Sequence, residues 1–235
     1  MSSNLTVCAI GDTHGHLQLA LCMAARWQRE LNKRFDAVLL CGDVGTFTDE
    51  TQLDSATRRP TRSNPCELEF MHQWSVTPQP PWLDVIFEPV DGGGLGLTCP
   101  VIMVHGNHEG FPHLATLRGE WMRRQHHEEI PTRPVDVDTL PVVDSGGHIR
   151  YLPSGCRCAL PCGITIGGLG GIEPGHRHAK YHEMAYLDDT ALLSMLHGDP
   201  CDVLITHQGP ARVQGPAGSK RLDEQNRSGI HRPMM

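Results

Sequence analysis

Short apolar runs recur along the chain, and most of them stop at a glycine followed by a polar residue. Leu5 to Ile10 is the first, and Gly11 and Asp12 close it, which predicts a buried strand running into a loop. From Leu17 the apolar positions fall at Leu21, Ala24, Trp27, Leu31 and Phe35, at spacings of three and four, so a helix is expected over 17–35. Lys33 and Arg34 near its end suit the negative pole of the helix dipole. Ala37 to Cys41 is a second apolar strand, ending at Gly42 and Asp43. Strand, helix, strand in that order implies a parallel pair joined by a right-handed crossover.

Val101 to Val104 reads as a third strand. His148 to Leu152, Arg157 to Leu160 and Ile164 to Ile166, grouped around the turn Pro161-Cys162-Gly163, read as antiparallel strands of a different sheet. A helix is expected over Asp188 to Leu196, then a buried strand from Val203 to Thr206 that ends at His207. The fold class is therefore α/β, with two sheets packed together as a sandwich and helices outside. Between Phe47 and Pro100 the pattern loosens into a proline-rich insertion with one short helix near Glu67 to Trp74. Long irregular connections often serve function, so this one either covers a site or is a surface excursion.

The organisation that results is one domain over 1–210 with an insertion at about 47–100, and a polar tail over 211–235. The tail carries Arg212, Lys220, Arg221, Arg227 and Arg232 against Asp223 and Glu224, and reads as shortened or disordered. Composition changes little in this picture. The 235 residues are 39% hydrophobic and 20% charged, and no run of apolar residues is long enough to span a bilayer, so no membrane partner is expected. The N-terminus lacks a basic segment ahead of an apolar one, which points to the cytoplasm.

Nine scattered cysteines read as reduced thiols. Cys156, Cys158 and Cys162 could hold zinc or an iron–sulfur cluster, but lack a spaced pair and a fourth ligand. A formal charge of −7 argues against general affinity for nucleic acid and leans towards small substrates. The basic group Arg58, Arg59 and Arg62 could grip a phosphate or nucleic-acid backbone, or simply be a solvated loop. Trp74, Trp82 and Trp121 read as packing residues, and His126 and His127 as part of an exposed helix.

Histidine is the anomaly, at fifteen residues. Four apolar strands end in metal-binding groups: Asp12 and His14, Asp43, Asn107 with His108, and His207. The carboxyl ends of parallel strands are where sites assemble, so these distant positions can converge on one pocket. Carboxylate, imidazole and amide donors suit Mn, Fe, Zn, Co or Ni without choosing among them. The chemistry fits two ions about 3.5–4 Å apart sharing a carboxylate and a hydroxide, with an activated water attacking phosphorus in line. The leaving oxygen then needs a proton, and His108 is the natural donor.

DTHG, GD, GNHE and THQGP, in that order after successive strands, resemble the calcineurin-like metallophosphoesterase superfamily. The resemblance spans roughly residues 5 to 210 and implies a two-sheet sandwich flanked by helices. It implies that Asp12 and His14 bind a first metal, that Asp43 bridges, that Asn107 and His207 bind a second metal, and that His108 is catalytic. HGNHE with the later GITIGGLGGI looks more like the lariat-debranching and small bacterial phosphoesterase branches than the serine/threonine protein phosphatases. The latter follow GD with an aspartate–arginine pair, whereas Asp43 here is followed by VGTFTDE.

The family's GHxH motif should follow THQGP and give each metal one more imidazole, and it is not found there. A GHxH string occurs earlier, at Gly175 to His178, making His176 and His178 candidates for the pocket; His231 in SGIHRP is another. The expected function is a dinuclear metal-dependent hydrolase of phosphate mono- or diesters, with activity reduced if those ligands are missing. The competing expectation is a catalytically weak binding module that keeps the fold with an incomplete metal site. No substrate-binding residue, protein partner or oligomeric state is assigned.

Overall fold

The computed structural model describes residues 5–174 and 182–209. Two four-stranded sheets form the centre. The first has strands β1 (Val7–Ile10), β2 (Ala37–Leu40), β3 (Val101–Met103) and β5 (Ile149–Tyr151), adjacent in that order and all parallel. The second orders β4 (Val135–Asp136), β6 (Arg157–Ala159), β7 (Thr165–Leu169) and β8 (Val203–Thr206), with only the β6–β7 pair antiparallel. Helix α1 (Leu17–Glu30) is the β1–β2 crossover, and α4 (Phe111–Arg124) and α5 (Asp189–His197) follow β3 and precede β8. This is the two-sheet α/β architecture that the apolar pattern predicts.

Ala37, Leu39, Ile102 and Val104 face the second sheet and pack with Cys158, Ile166 and Ile205. The alternate side chains Val38, Leu40, Val101 and Met103 face outward onto α1 and the insertion, meeting Leu21, Phe70 and Trp74. Strands apolar on both faces are what a doubly covered parallel sheet requires.

Three local expectations need correction. The strand at Ile149–Tyr151 belongs to the first sheet, parallel to β3, and is not an antiparallel member of the second. Gly155, at φ +85°, turns the chain between sheets just after it, so the hairpin pattern begins only at β6. Helix α1 stops at Glu30 because Asn32 adopts φ +49°; Phe35 is still buried, through a loop whose N–H donates to Gln28 Oε1. The exposed helix expected to carry His126 and His127 is α4, which ends at Arg124, so the two histidines follow it in a turn, with the His127 ring 5.5 Å from Trp121.

The insertion holds more structure than one helix. It contains α2 (Ser55–Arg58), α3 (Pro81–Phe87), a 3₁₀ turn at Pro65–Leu68 and a π-helical turn at Phe70–Trp74. Trp74 and Trp121 are buried as expected, whereas Trp82 is exposed. All nine cysteines are free. The tail, with its candidate His231, and the loop carrying His176 and His178 lie outside the described residues.

Candidate metal centre

The strand ends meet at one rim. Asp12 and His14 follow β1, Asp43 follows β2, Asn107 and His108 follow β3, and His207 follows β8, the edge strand of the second sheet. Asp12, His14 and Asp43 all adopt left-handed backbone, at φ +46°, +43° and +48°. Such conformations cost about 1–3 kcal/mol each and persist only where surroundings enforce them. Here the enforcement is visible. His14 N donates to Asp43 O at 2.8 Å, tying the first two loops together.

Glu109 ties the third. Buried and without a lysine or arginine among its described partners, its carboxylate accepts from Val44 N, Gly45 N, Thr46 N, Gly106 N and the Thr46 hydroxyl. Burial, then the nearby Asp43 charge, push its pKa up. Gly106 packs so closely on Asp43 that a Cβ there would overlap the Asp43 carboxylate and amide, so only glycine lets the third loop approach the second.

Asp12, Asp43 and His207 offer ligand atoms that all lie within 4.8 Å of one another. Asp43 is central and buried. Its Oδ1 stands 3.6 Å from His207 Nε2, while its Oδ2 stands 3.6 Å from His14 Nε2. His207 Nε2 is also 3.1 Å from Asn107 Oδ1. On the other side of that ring, Nδ1 lies 3.0 Å from Cys41 O and 3.5 Å from Asp12 Oδ1. A proton on Nδ1 satisfies the carbonyl and leaves the Nε2 lone pair aimed at two oxygens. Lone pairs that converge this way, around a buried carboxylate with no lysine or arginine partner among the described residues, fit a divalent cation.

The insertion reaches this rim from outside. His14 Nδ1 faces Glu67 Oε2 at 3.8 Å, and Asn64 Nδ2 meets His16 Nε2 at 3.2 Å. Burial raises the Glu67 pKa, against the lowering effect of His14, His16 and His108. Asp54 is the N-cap of α2, accepting from Ala56 N and Thr57 N, and its second oxygen meets His108 Nδ1 at 2.8 Å. Burial opposes both charges of this pair. Hydrogen bonds from His108, Thr57 and Ala56 nevertheless hold the Asp54 carboxyl below its ordinary range, and Asp54 raises the His108 imidazole above its own.

The pocket beside these groups measures about 380 Å³ and is lined by Asp12, Thr13, His14, Thr57, Glu67 and His108, among others. His105, adjacent to the cluster in sequence, is not part of it: its ring is buried against Tyr151 OH at 2.9 Å, and burial with the Arg118 and His207 charges pulls its pKa down to about 4. Cys156, Cys158 and Cys162 form no ligand group among the described residues, the first two being buried and the third exposed.

Sequence reasoning identified the rim residues and missed Asp54, Asn64 and Glu67. Asp54-Ser55 is legible as a helix cap, but nothing local indicates that its free oxygen would meet a histidine from another loop.

The family model for calcineurin-like phosphoesterases matches residues 5–230 of the chain. Among curated proteins, none matches.

Proposed function

Because the chain belongs to the calcineurin-like phosphoesterase family, whose members are metal-dependent phosphoester hydrolases, we propose that it hydrolyses phosphate mono- or diesters at a dinuclear centre on this rim. One observation carries the reading: the two oxygens of Asp43 each face the Nε2 of a different imidazole, at 3.6 Å, as a bridging carboxylate would. Asp12, His14 and Asp43 would hold one ion, and Asp43, Asn107 and His207 the other. Such ions neutralise phosphoryl oxygens and lower the pKa of water. Mn, Fe, Zn, Co and Ni all suit these donors.

The chain's own groups do the rest. Cys41 O favours the His207 tautomer that presents Nε2, and the Glu67 carboxylate stands 3.8 Å behind His14 Nδ1, where its charge favours a proton on that nitrogen. His108, oriented at Nδ1 by Asp54, is the group that would pass a proton to the leaving oxygen. His108 bears on the pocket that the ester would enter, beside His14 at a ring separation of 5.7 Å. A small phosphoester or nucleotide is the substrate class favoured by the acidic charge balance of −7.

The test joins metal analysis to turnover. Two ions per chain after dialysis against Mn²⁺, and hydrolysis of a nitrophenyl phosphate or its diester that Asp43→Asn abolishes, are expected. A folded chain that retains no ion and turns over neither ester would instead be a binding module with an unused pocket.

A further inference from the structure

Helix α1 is apolar on two sides. Leu17, Leu21, Ala24 and Ala25 are buried in the core, as its sequence pattern requires. Leu19, Met23, Trp27 and Leu31 form a second line, at spacings of four, and are 58%, 41%, 41% and 59% exposed. Exposed apolar residues are ordinary when scattered, but a line of them along one helix face marks a surface that something covers.

The first three of these residues wall a groove of about 380 Å³ whose surface is almost wholly apolar. Its floor is Ile10 and Gly11, the end of β1. The groove adjoins the metal pocket, with Asp12, Thr13 and His16 lining both. Its polar groups therefore lie at the metal end and its aromatic one, Trp27, at the far end. Leu19 to Trp27 covers about 12 Å at 1.5 Å per residue, longer than a single phenyl ring.

From this shared wall we infer that the groove is a leaving-group subsite, and that the ester hydrolysed carries an extended flat aromatic group in its alcohol part. The inference rests on the proposed hydrolytic reading and narrows its substrate class. An anionic phosphoryl group sits at the rim, and the aromatic ring carried by the alcohol part lies along Leu19 and Met23 towards Trp27. A thioether and an indole favour a flat ring over an alkyl chain, through sulfur–aromatic contact and offset stacking. Both a bicyclic aryl ester and a nucleotide present that chemistry.

The Mn²⁺-loaded full chain is assayed with naphthyl phosphate, adenosine monophosphate and glycerol phosphate, alongside Trp27→Ala, Met23→Ser and Trp27→Phe. Both residues are half exposed, so the variants keep the core. The inference expects a lower KM for an aromatic ester than for glycerol phosphate. Trp27→Ala is expected to raise that aromatic KM about tenfold, the worth of one good aromatic contact, while the glycerol phosphate KM and both kcat values stay put. Trp27→Phe restores most of it.

Whichever aromatic ester responds more to Trp27→Ala identifies the source. Equal KM values for all three esters, or variants without effect on them, overturn the inference and leave the hydrolase intact. If the stripe is instead a contact between copies, wild type elutes as a dimer and Trp27→Ala as a monomer, with aromatic KM unchanged, which also overturns it. If the metal-loaded chain turns over no ester, calorimetry with naphthyl phosphate decides. Binding weakened by Trp27→Ala but not by Trp27→Phe keeps the subsite while the hydrolytic reading falls, and no binding rejects both.

Discussion

The rim of the sheets and the insertion over 47–100 both bring carboxylates to histidines of the site, and at His14 they meet from opposite sides of one ring. Asp43, on the rim, faces the Nε2 atoms of His14 and His207. Glu67 and Asp54, on the insertion, face the Nδ1 atoms of His14 and His108. An acceptor at one imidazole nitrogen favours the tautomer that presents the other to a cation or a reacting atom. The rim therefore carries donors that would bind, and the insertion carries carboxylates that aim them. The two regions are also built differently. Asp12, His14 and Asp43 of the rim sit after strand ends in left-handed backbone, with Glu109 tying the second loop to the third, whereas insertion residues sit on short helical turns.

If this division of labour holds, the largest effect should come from Asp43→Asn. It removes the carboxylate that faces both imidazoles, so loss of activity should exceed the roughly 10²–10⁴-fold that a single proton-transfer group is worth. Metal content should fall with it, measured by elemental analysis after dialysis. Retention of two ions per chain would break the comparison, since Asp43 would then be no ligand.

His108→Ala comes next. Its loss should lower kcat by about 10²–10⁴-fold for esters with poor leaving groups, and much less for a nitrophenyl ester whose leaving oxygen needs little protonation. Metal content should not change. A matching loss of metal would place His108 among the binding donors rather than with the proton donors.

The insertion variants Asp54→Asn and Glu67→Gln should be milder, at about 10–100-fold each, the usual cost of losing a partner behind a functional histidine. They should also differ from each other. Glu67→Gln should weaken metal retention through His14, while Asp54→Asn should leave metal in place and lower kcat as a fainter copy of His108→Ala. Identical phenotypes would mean that the insertion acts as a unit, through its packing. Gly15→Ala probes that packing: Gly15 sits at φ +81°, and a Cβ there would overlap the backbone of Cys66 and Glu67, so the variant should shift Glu67 and resemble Glu67→Gln in metal retention.

The same division explains what could be read from the chain. DTHG, GD, GNHE and THQGP are legible because each candidate donor lies just after an apolar strand, and parallel strands deliver their ends to one edge. Asp54 and Glu67 lie in proline-rich sequence with no periodicity, and reach the site only through the insertion's fold onto α1 and the rim. Ile149–Tyr151 was read into the wrong sheet for a related reason. Sequence neighbours suggest a hairpin, and only Gly155 at positive φ separates this strand from β6. Strand identity is local, but strand partnership is not.

The smallest expected effect lies on the insertion's other face. Ala56, Thr57 and Pro60 line the metal pocket, whereas Ser55, Arg58, Arg59 and Arg62 line a separate cleft of about 440 Å³ across the same ridge. None of these arginines pairs with a carboxylate among the described residues, and Arg58 donates to Leu53 O at 3.0 Å. A ridge built on a short helix is about 10 Å across, so a small ester at the rim cannot touch Arg59 or Arg62. The double variant Arg59→Ala with Arg62→Ala should therefore leave kcat/KM for nitrophenyl phosphate within about twofold, since exposed charges removed from the chemistry are worth little. Single-stranded oligonucleotides supply the sharper arm of the measurement. If their cleavage is detectable and falls much further than that of the small ester in the double variant, the polyanion crosses the ridge, and the insertion holds substrate on one face while it aims histidines with the other.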